Sequence, residues 1–264
     1  MADDGNRPVT SYGYGAEPGV LAIAHRGGAA LGPENTLDAF ERALALGYRY
    51  LETDARVTSD GVCVAFHDRT LLRLAGRRGR LADLTCEDVR RLRVHGTGTV
   101  PRLEDLLGAW PEVRWVVDIK QPSALTALVR AVRRSGAANR VCLSGTWDRW
   151  LDDARRELGP PLSTALGWRS MAQLLAGRTP DRQTSDFVHL PLRLGTRRVP
   201  SVRLVQRAHD HGLRVVVWGV ENARETHRLL DDGVDGVITN HTDLIREALL
   251  ARGSWHVPTP ARAR

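Results

Sequence analysis

Short apolar, β-branched runs recur along the chain, each followed by a stretch whose apolar residues repeat at helical spacing. The strand-like runs are 20–24 (VLAIA), 49–54 (RYLETD), 114–119 (RWVVDI), 140–143 (RVCL), 162–166 (LSTAL), 186–190 (DFVHL), 213–218 (LRVVVW) and 235–238 (DGVI). Helical stretches between them include Leu37-Phe40-Ala43-Leu44, Leu125-Leu128-Val129-Val132 and Val202-Val205-Ala208. Glycine closes several of them, at Gly47, Gly136, Gly159, Gly212 and Gly233, where a helix stop favours a left-handed residue. Parallel neighbours need crossovers, so this alternation predicts a parallel sheet. Eight such units in about 250 residues match a (β/α)8 TIM barrel. A doubly wound open sheet is the alternative, weakened because no GxGxxG follows a strand.

One unit departs from the pattern. About sixty residues separate the second strand from Arg114, including an extra apolar run, Val62-Cys63-Val64-Ala65-Phe66, behind a Ser59-Asp60-Gly61 turn. They predict a small insertion after the second strand, at the barrel mouth. No linker splits the chain, so a single domain over 20–250 is expected. The ends, 1–19 and 253–264, are rich in Gly, Pro and Arg and are expected to be flexible tails.

Composition narrows the class. The chain has 264 residues, 42% of them hydrophobic, enough for a sizeable core. No apolar stretch is long enough to span a bilayer, so no integral membrane association is expected. The first residues lack the basic start and apolar run of a signal peptide, which predicts a cytoplasmic protein. Cys63, Cys86 and Cys142 are scattered and form no CxxC or Cys/His metal spacing. The net charge of +7 suits an anionic partner, but Lys120 is the lone lysine and the arginines are dispersed. The densest cluster, Arg73 to Arg80, lacks interleaved aromatics, so no nucleic-acid partner is expected.

In a parallel barrel, chemistry gathers where strands end. The first strand ends in His25-Arg26, the second in Glu52-x-Asp54, the third in Asp118-x-Lys120, the extra run in His67-Asp68 and the seventh in Trp218. Glu52 and Asp54 are two apart on a strand and share a face. With Asp118 they offer three hard oxygens suited to one divalent cation, Mg2+ or Ca2+. Taken singly, each acid reads as a solvated cap or a surface ion pair. His25 and His67 suit general acid/base work, although His25 alone also reads as a structural histidine. Arg26 and Lys120 would add fixed positive charge for phosphate oxygens. Glu34 and Asp68 are candidates to orient a ring or support the site. Trp218 reads either as a substrate wall or as core, Asn35 as a helix N-cap, and His189 as packing first, with the barrel mouth as its alternative.

The run HRGG…PENTLDAF, then ETDARVTSDGVCVAFHD, VVDIK, VVVWGVEN and GVDGVITNHTDL, resembles the glycerophosphodiester phosphodiesterases over roughly residues 20–250. The resemblance implies a TIM barrel with an insertion after the second strand. It also implies hydrolysis of glycerophosphodiesters, small-molecule substrates, to glycerol 3-phosphate and an alcohol. By position it makes His25 and His67 catalytic and Glu52, Asp54 and Asp118 metal ligands, Asp118 standing where the family commonly has Glu. Arg26 and Lys120 match phosphate-contacting positions. The substrate's neighbouring hydroxyl would attack, giving a cyclic phosphate that water opens. Two motifs depart from the family pattern. Trp-Thr-Val-Asn reads Trp218-Gly219-Val220-Glu221, and Thr-Asp before a proline reads Thr239-Asn240-His241-Thr242. Both lie on the last strands, where a change of substrate preference is expected. A lysophospholipid-directed phosphodiesterase and a non-catalytic phosphate-ligand binding protein are the alternatives.

Overall fold

The computed structural model describes residues 13–17, 19–180 and 185–255. The strands are β1 (Leu21–Ala24), β2 (Tyr50–Val57), β3 (Cys63–Ala65), β4 (Arg114–Ile119), β5 (Val141–Gly145), β6 (Ser163–Thr164), β7 (Phe187–Pro191), β8 (Arg193–Leu194), β9 (Arg197–Arg198), β10 (Arg214–Trp218) and β11 (Gly236–Thr239). The α-helices are α1 (Leu37–Ala45), α2 (Leu72–Ala75), α3 (Cys86–Arg90), α4 (Leu103–Ala109), α5 (Leu125–Arg134), α6 (Asp148–Leu158), α7 (Trp168–Leu175), α8 (Val202–Asp210), α9 (Ala223–Asp231) and α10 (Thr242–Ala251).

Eight parallel strands run in the order β6-β5-β4-β2-β1-β11-β10-β7. The ends of that row meet. Asp186 N–H donates to Thr164 O at 3.0 Å and Leu166 N–H to Phe187 O at 2.8 Å, which nearly closes the barrel. The expected TIM barrel is therefore the observed fold. Strand β6 is shorter than the run LSTAL suggests, because beyond Thr164 only a single bridge, Ala165 to Phe187, continues it.

Side chains fill the barrel. Leu21, Ile23, Tyr50, Val116, Phe187 and Val216 pack inside it, while separate apolar layers join the outer strand faces to the helices. Burial on both faces explains why these strands read as continuous apolar runs. Tyr14 caps the interior where the strands begin. Its ring stands edge-on to Tyr50 and Phe187, 5.3 and 5.2 Å away, and its N–H donates to Asn139 O at 2.7 Å. Residues 13–17 are thus packed and not a loose arm. At the other terminus Trp255 stands edge-on to Tyr48, 5.0 Å away. The rest of the two expected tails, 1–12, 18 and 256–264, lies outside the described residues.

The insertion leaves from the end of β2. Strand β3 folds back antiparallel on it, pairing Ala65 with Ala55 and Cys63 with Val57. The segment has its own small core of Val64, Phe66, Leu71, Leu74, Leu81 and Val89, among others. Thr85 caps α3 through a reciprocal bond with Asp88. The fold-back matters because it returns the chain to the mouth, where Phe66 N–H donates to Asp54 O at 2.9 Å. His67 comes next. Among the described residues no helix is long and apolar enough to cross a membrane.

Candidate active site

Strand β1 ends in a tight turn. Arg26, Gly27 and Gly28 all have positive φ, at 53°, 82° and 89°. A Cβ on Gly27 would lie 2.7 Å from Ala39 Cβ and 2.8 Å from Ala39 C, so only glycine lets α1 start this close. The turn presents His25 and Arg26 at the mouth. Arg26 N–H donates to Glu52 Oε2 at 2.9 Å, its Nη1 donates to Glu34 Oε1 at 2.9 Å, and its Nε lies 3.1 Å from Asp54 Oδ2.

The two histidines are each held by Nδ1. His25 Nδ1 donates to Asn240 Oδ1 at 2.7 Å, and His67 Nδ1 donates to Asp68 Oδ1 at 2.7 Å. Both partners accept, which fixes the tautomer and leaves each Nε2 available. His25 Nε2 is 3.7 Å from Glu52 Oε2. Burial and then the Arg26 charge pull the His25 pKa down to about 4, so the ring is neutral near pH 7. Arg73 forks between the supports of the two sites. It donates to both oxygens of Asp68 at 2.7 Å and to both of Glu34 at 2.8 and 2.9 Å. A continuous chain Arg26–Glu34–Arg73–Asp68–His67 results, which gives Glu34 and Asp68 the supporting contacts expected of them.

The carboxylates converge from β2 and β4, where Asp54 is in register with Asp118. Lys120 Nζ lies 2.9 Å from Asp54 Oδ1 and 2.6 Å from Asp118 Oδ2. Burial raises the Asp54 pKa, but Lys120 and Arg26 outweigh it and hold the group at about 2. Glu52 behaves oppositely. Burial and then the neighbouring Asp54 push its carboxyl well above the usual range. Ser144 Oγ donates to the second Asp118 oxygen at 3.1 Å.

A cavity of about 360 Å3 opens at this mouth, lined by His25, Arg26, Glu52, His67, Asp118, Lys120 and Trp218. Asp54 is fully buried beneath it. The eight residues singled out from the sequence therefore gather in one place. Leu166, Trp168 and Met171 supply an apolar side wall.

Sequence reasoning misplaced some residues. Asn35 is not the α1 cap, because Thr36 Oγ1 accepts Ala39 N–H in that role. Asn35 instead adopts positive φ, 56°, and donates from Nδ2 to Asp54 Oδ2 at 2.7 Å while accepting Thr53 Oγ1–H at 2.8 Å. Asn tolerates that backbone better than most residues, and PENT between a strand end and a helix was the available signal. His189 also lines the cavity, with Nε2 buried and without a hydrogen-bond partner. Burial pulls its pKa down to about 4.

The sequence model of the glycerophosphoryl diester phosphodiesterase family matches residues 25–244. The chain belongs to that family. It is 37% identical to a probable glycerophosphodiester phosphodiesterase 2 of Mycobacterium tuberculosis, over 97% of this chain and 99% of that one. A crystal structure of a glycerophosphoryl diester phosphodiesterase described as putative, from Silicibacter pomeroyi, superposes with a TM-score of 0.75 at 26% identity, covering 91% of this chain and 97% of the other. The same fold occurs in an Oleispira antarctica phosphodiesterase solved with the product sn-glycerol-3-phosphate, with a TM-score of 0.73 at 18% identity, covering 88% and 97%.

Within this phosphodiesterase-family barrel the two departing motifs meet each other. Asn240 Nδ2 donates to Glu221 Oε1 at 3.1 Å, while Asn240 Oδ1 holds His25. One of these changes therefore reaches beyond the substrate preference expected of it, since Asn240 orients His25 directly.

The donor set suits a divalent cation in kind. It offers three hard carboxylates, one of them Glu52 raised by burial and then by Asp54, and Asp54 Oδ1 is buried with the Lys120 ion pair but no aligned hydrogen bond. Among the described residues, however, no group of three or more His, Cys, Asp or Glu side chains stands arranged as ligands. The Lys120 ammonium occupies the space between Asp54 and Asp118, so a cation held by all three acids requires that side chain to move aside.

Proposed function

We propose that this chain hydrolyses glycerophosphodiesters to glycerol 3-phosphate and an alcohol. The observation that carries the reading is the pair of imidazoles, His25 and His67, lining one cavity with each Nδ1 already engaged. His25, neutral near pH 7, takes the proton of the glycerol hydroxyl next to the phosphate as that oxygen attacks phosphorus. His67, entering the step with a proton on Nε2 as well as on the Nδ1 held by Asp68, gives the Nε2 proton to the departing alcohol oxygen as its bond to phosphorus breaks. Water then opens the cyclic phosphate with the two roles exchanged.

Arg26 and Lys120 place positive charge beside the phosphate oxygens. Glu52, Asp54 and Asp118 would hold one divalent cation, Mg2+ or Ca2+, which when bound polarises a phosphoryl oxygen. Trp218 forms part of the substrate wall, and the unpartnered His189 Nε2 is placed to meet a substrate hydroxyl. The three cysteines are free thiols, which supports a reducing, cytoplasmic setting.

Monoacylated glycerophosphodiesters are the second reading, favoured by the apolar wall of Leu166, Trp168, Met171 and Trp218. Product release across a panel of soluble and monoacylated diesters, with and without each cation, separates the two. Ligand binding without turnover across the whole panel would mark a binding protein instead.

A further inference from the structure

Exposed apolar surface is concentrated at the mouth. Among the described residues the exposed large apolar side chains, Leu250 excepted, lie at the end of a barrel strand or in the loop after it, in the insertion, or in the first turn of a helix. Each helix of a β/α barrel begins at the end where its strand finished, so these positions share the mouth face. Four of them form an arc. Trp147 follows β5, Trp168 follows β6, Leu194 follows β7 and Trp218 ends β10, with exposures of 60%, 59%, 51% and 44%. Those four strands are consecutive around the closed barrel. The arc continues inward as the apolar wall of the cavity through Trp168, Trp218, Leu166 and Met171.

Arginines accompany the arc. Arg149 sits two residues from Trp147, Arg169 beside Trp168, and Arg193 and Arg197 on the hairpin that carries Leu194, all of them exposed. Arg193 and Arg197 pair with no carboxylate among the described residues. Glu221, the acid beside Trp218, is engaged by Asn240 and lies 3.9 Å from His241 Nε2. Indoles set among guanidinium groups match the boundary of an anionic bilayer, where an amphipathic ring sits at headgroup level and cations meet lipid phosphates. A second copy of the chain fits less well, because a two-fold contact through this arc would bring its arginines against their own counterparts.

We propose that the arc Trp147–Trp168–Leu194–Trp218 is a docking face for an anionic lipid bilayer surface. Docking turns the cavity mouth toward the lipid. Resting on the phosphodiesterase reading above, it allows a monoacylated glycerophosphodiester to offer its phosphate to His25 and His67 while its acyl chain stays in the membrane.

The test is co-sedimentation of the full chain with phosphatidylcholine vesicles, with and without phosphatidylglycerol, at low and high salt. The double variant Trp147→Ser/Leu194→Ser is run beside it, since neither residue lines the cavity. The wild type should sediment with the anionic vesicles and release at high salt. The double variant should partition at least about tenfold more weakly. Its hydrolysis of soluble glycerophosphocholine should equal that of the wild type, which also shows that it folds. Arg193→Glu/Arg197→Glu should remove most of the preference for phosphatidylglycerol. No sedimentation at low salt, equal sedimentation of the double variant, or a dimer on size exclusion that the double variant dissolves would overturn the proposal. A chain that sediments as expected but cleaves no diester would keep the docking face and remove the functional reading. One that cleaves but never sediments would do the reverse.

Discussion

Asn240 Oδ1 accepts the Nδ1 proton of His25 at 2.7 Å, so the end of the last barrel strand orients the imidazole at the end of the first. An amide in this place adds no charge to the ring, and His25 stays neutral over a wide pH range. Asn240→Asp should raise the His25 pKa from about 4 by about 1–3 pH units, because a carboxylate favours imidazolium. Ring-proton NMR titration of the metal-free protein reads this directly. The new carboxylate would face Glu221 across the 3.1 Å contact, so Glu221→Gln should relieve the repulsion and restore any lost stability.

Gly27 is a steric requirement. Gly27→Ala places a methyl group against the Ala39 backbone and holds a left-handed φ, at a cost of about 2–4 kcal/mol of folding stability. Denaturant unfolding should show a lower midpoint. An unchanged midpoint would mean that α1 can shift away from the turn.

Arg73 links both halves of the site from a largely exposed position. Arg73→Ala should lower kcat about tenfold by releasing Asp68 and Glu34, with the melting temperature changed by about 2 °C or less. Arg73→Lys should recover part of the loss, since one ammonium cannot fork to both carboxylates. A fall in melting temperature without a fall in kcat would reduce Arg73 to a structural tie.

His189 should make the fold sensitive to acid. Burial lowers its pKa to about 4, against an unfolded value near 6.5, and Asp118 opposes that shift only in part. Between those values the unfolded chain binds a proton that the folded chain rejects. Stability from this group is therefore full above pH 6.5 and declines as pH falls toward 4. His189→Leu should flatten the slope of stability against pH in that window by at most about 1.4 kcal/mol per pH unit. Urea unfolding at several pH values measures it.

The barrel was legible because parallel strands buried on both faces leave short apolar runs, and Gly136, Gly212 and Gly233 mark helix ends. The gathering of the candidate residues at one mouth was legible for a related reason: a polar residue that ends such a run faces that mouth. Partnerships were harder to read. Asn240 meets His25 because barrel closure makes β11 the neighbour of β1, a contact spanning 215 residues. Arg73 reaches Glu34 only because the insertion folds back over the first loop. The N-cap reading of Asn35 failed by one position, and once Thr36 takes the cap the Asn35 amide is free to turn inward to Asp54. Tyr14 was hidden by its glycine-rich surroundings, which read as loose chain until its ring is seen capping the barrel.

The most direct measurement is release of glycerol 3-phosphate from glycerophosphocholine by the wild type, His25→Ala and His67→Ala, each with Mg2+, with Ca2+ and after chelation. The wild type should turn over with a divalent ion and stop on chelation, and each histidine variant should lose about 10²–10⁴-fold in kcat while keeping its fold. Near-normal turnover by either variant, undiminished activity after chelation, or no product from the wild type would contradict paired-imidazole catalysis at this barrel mouth.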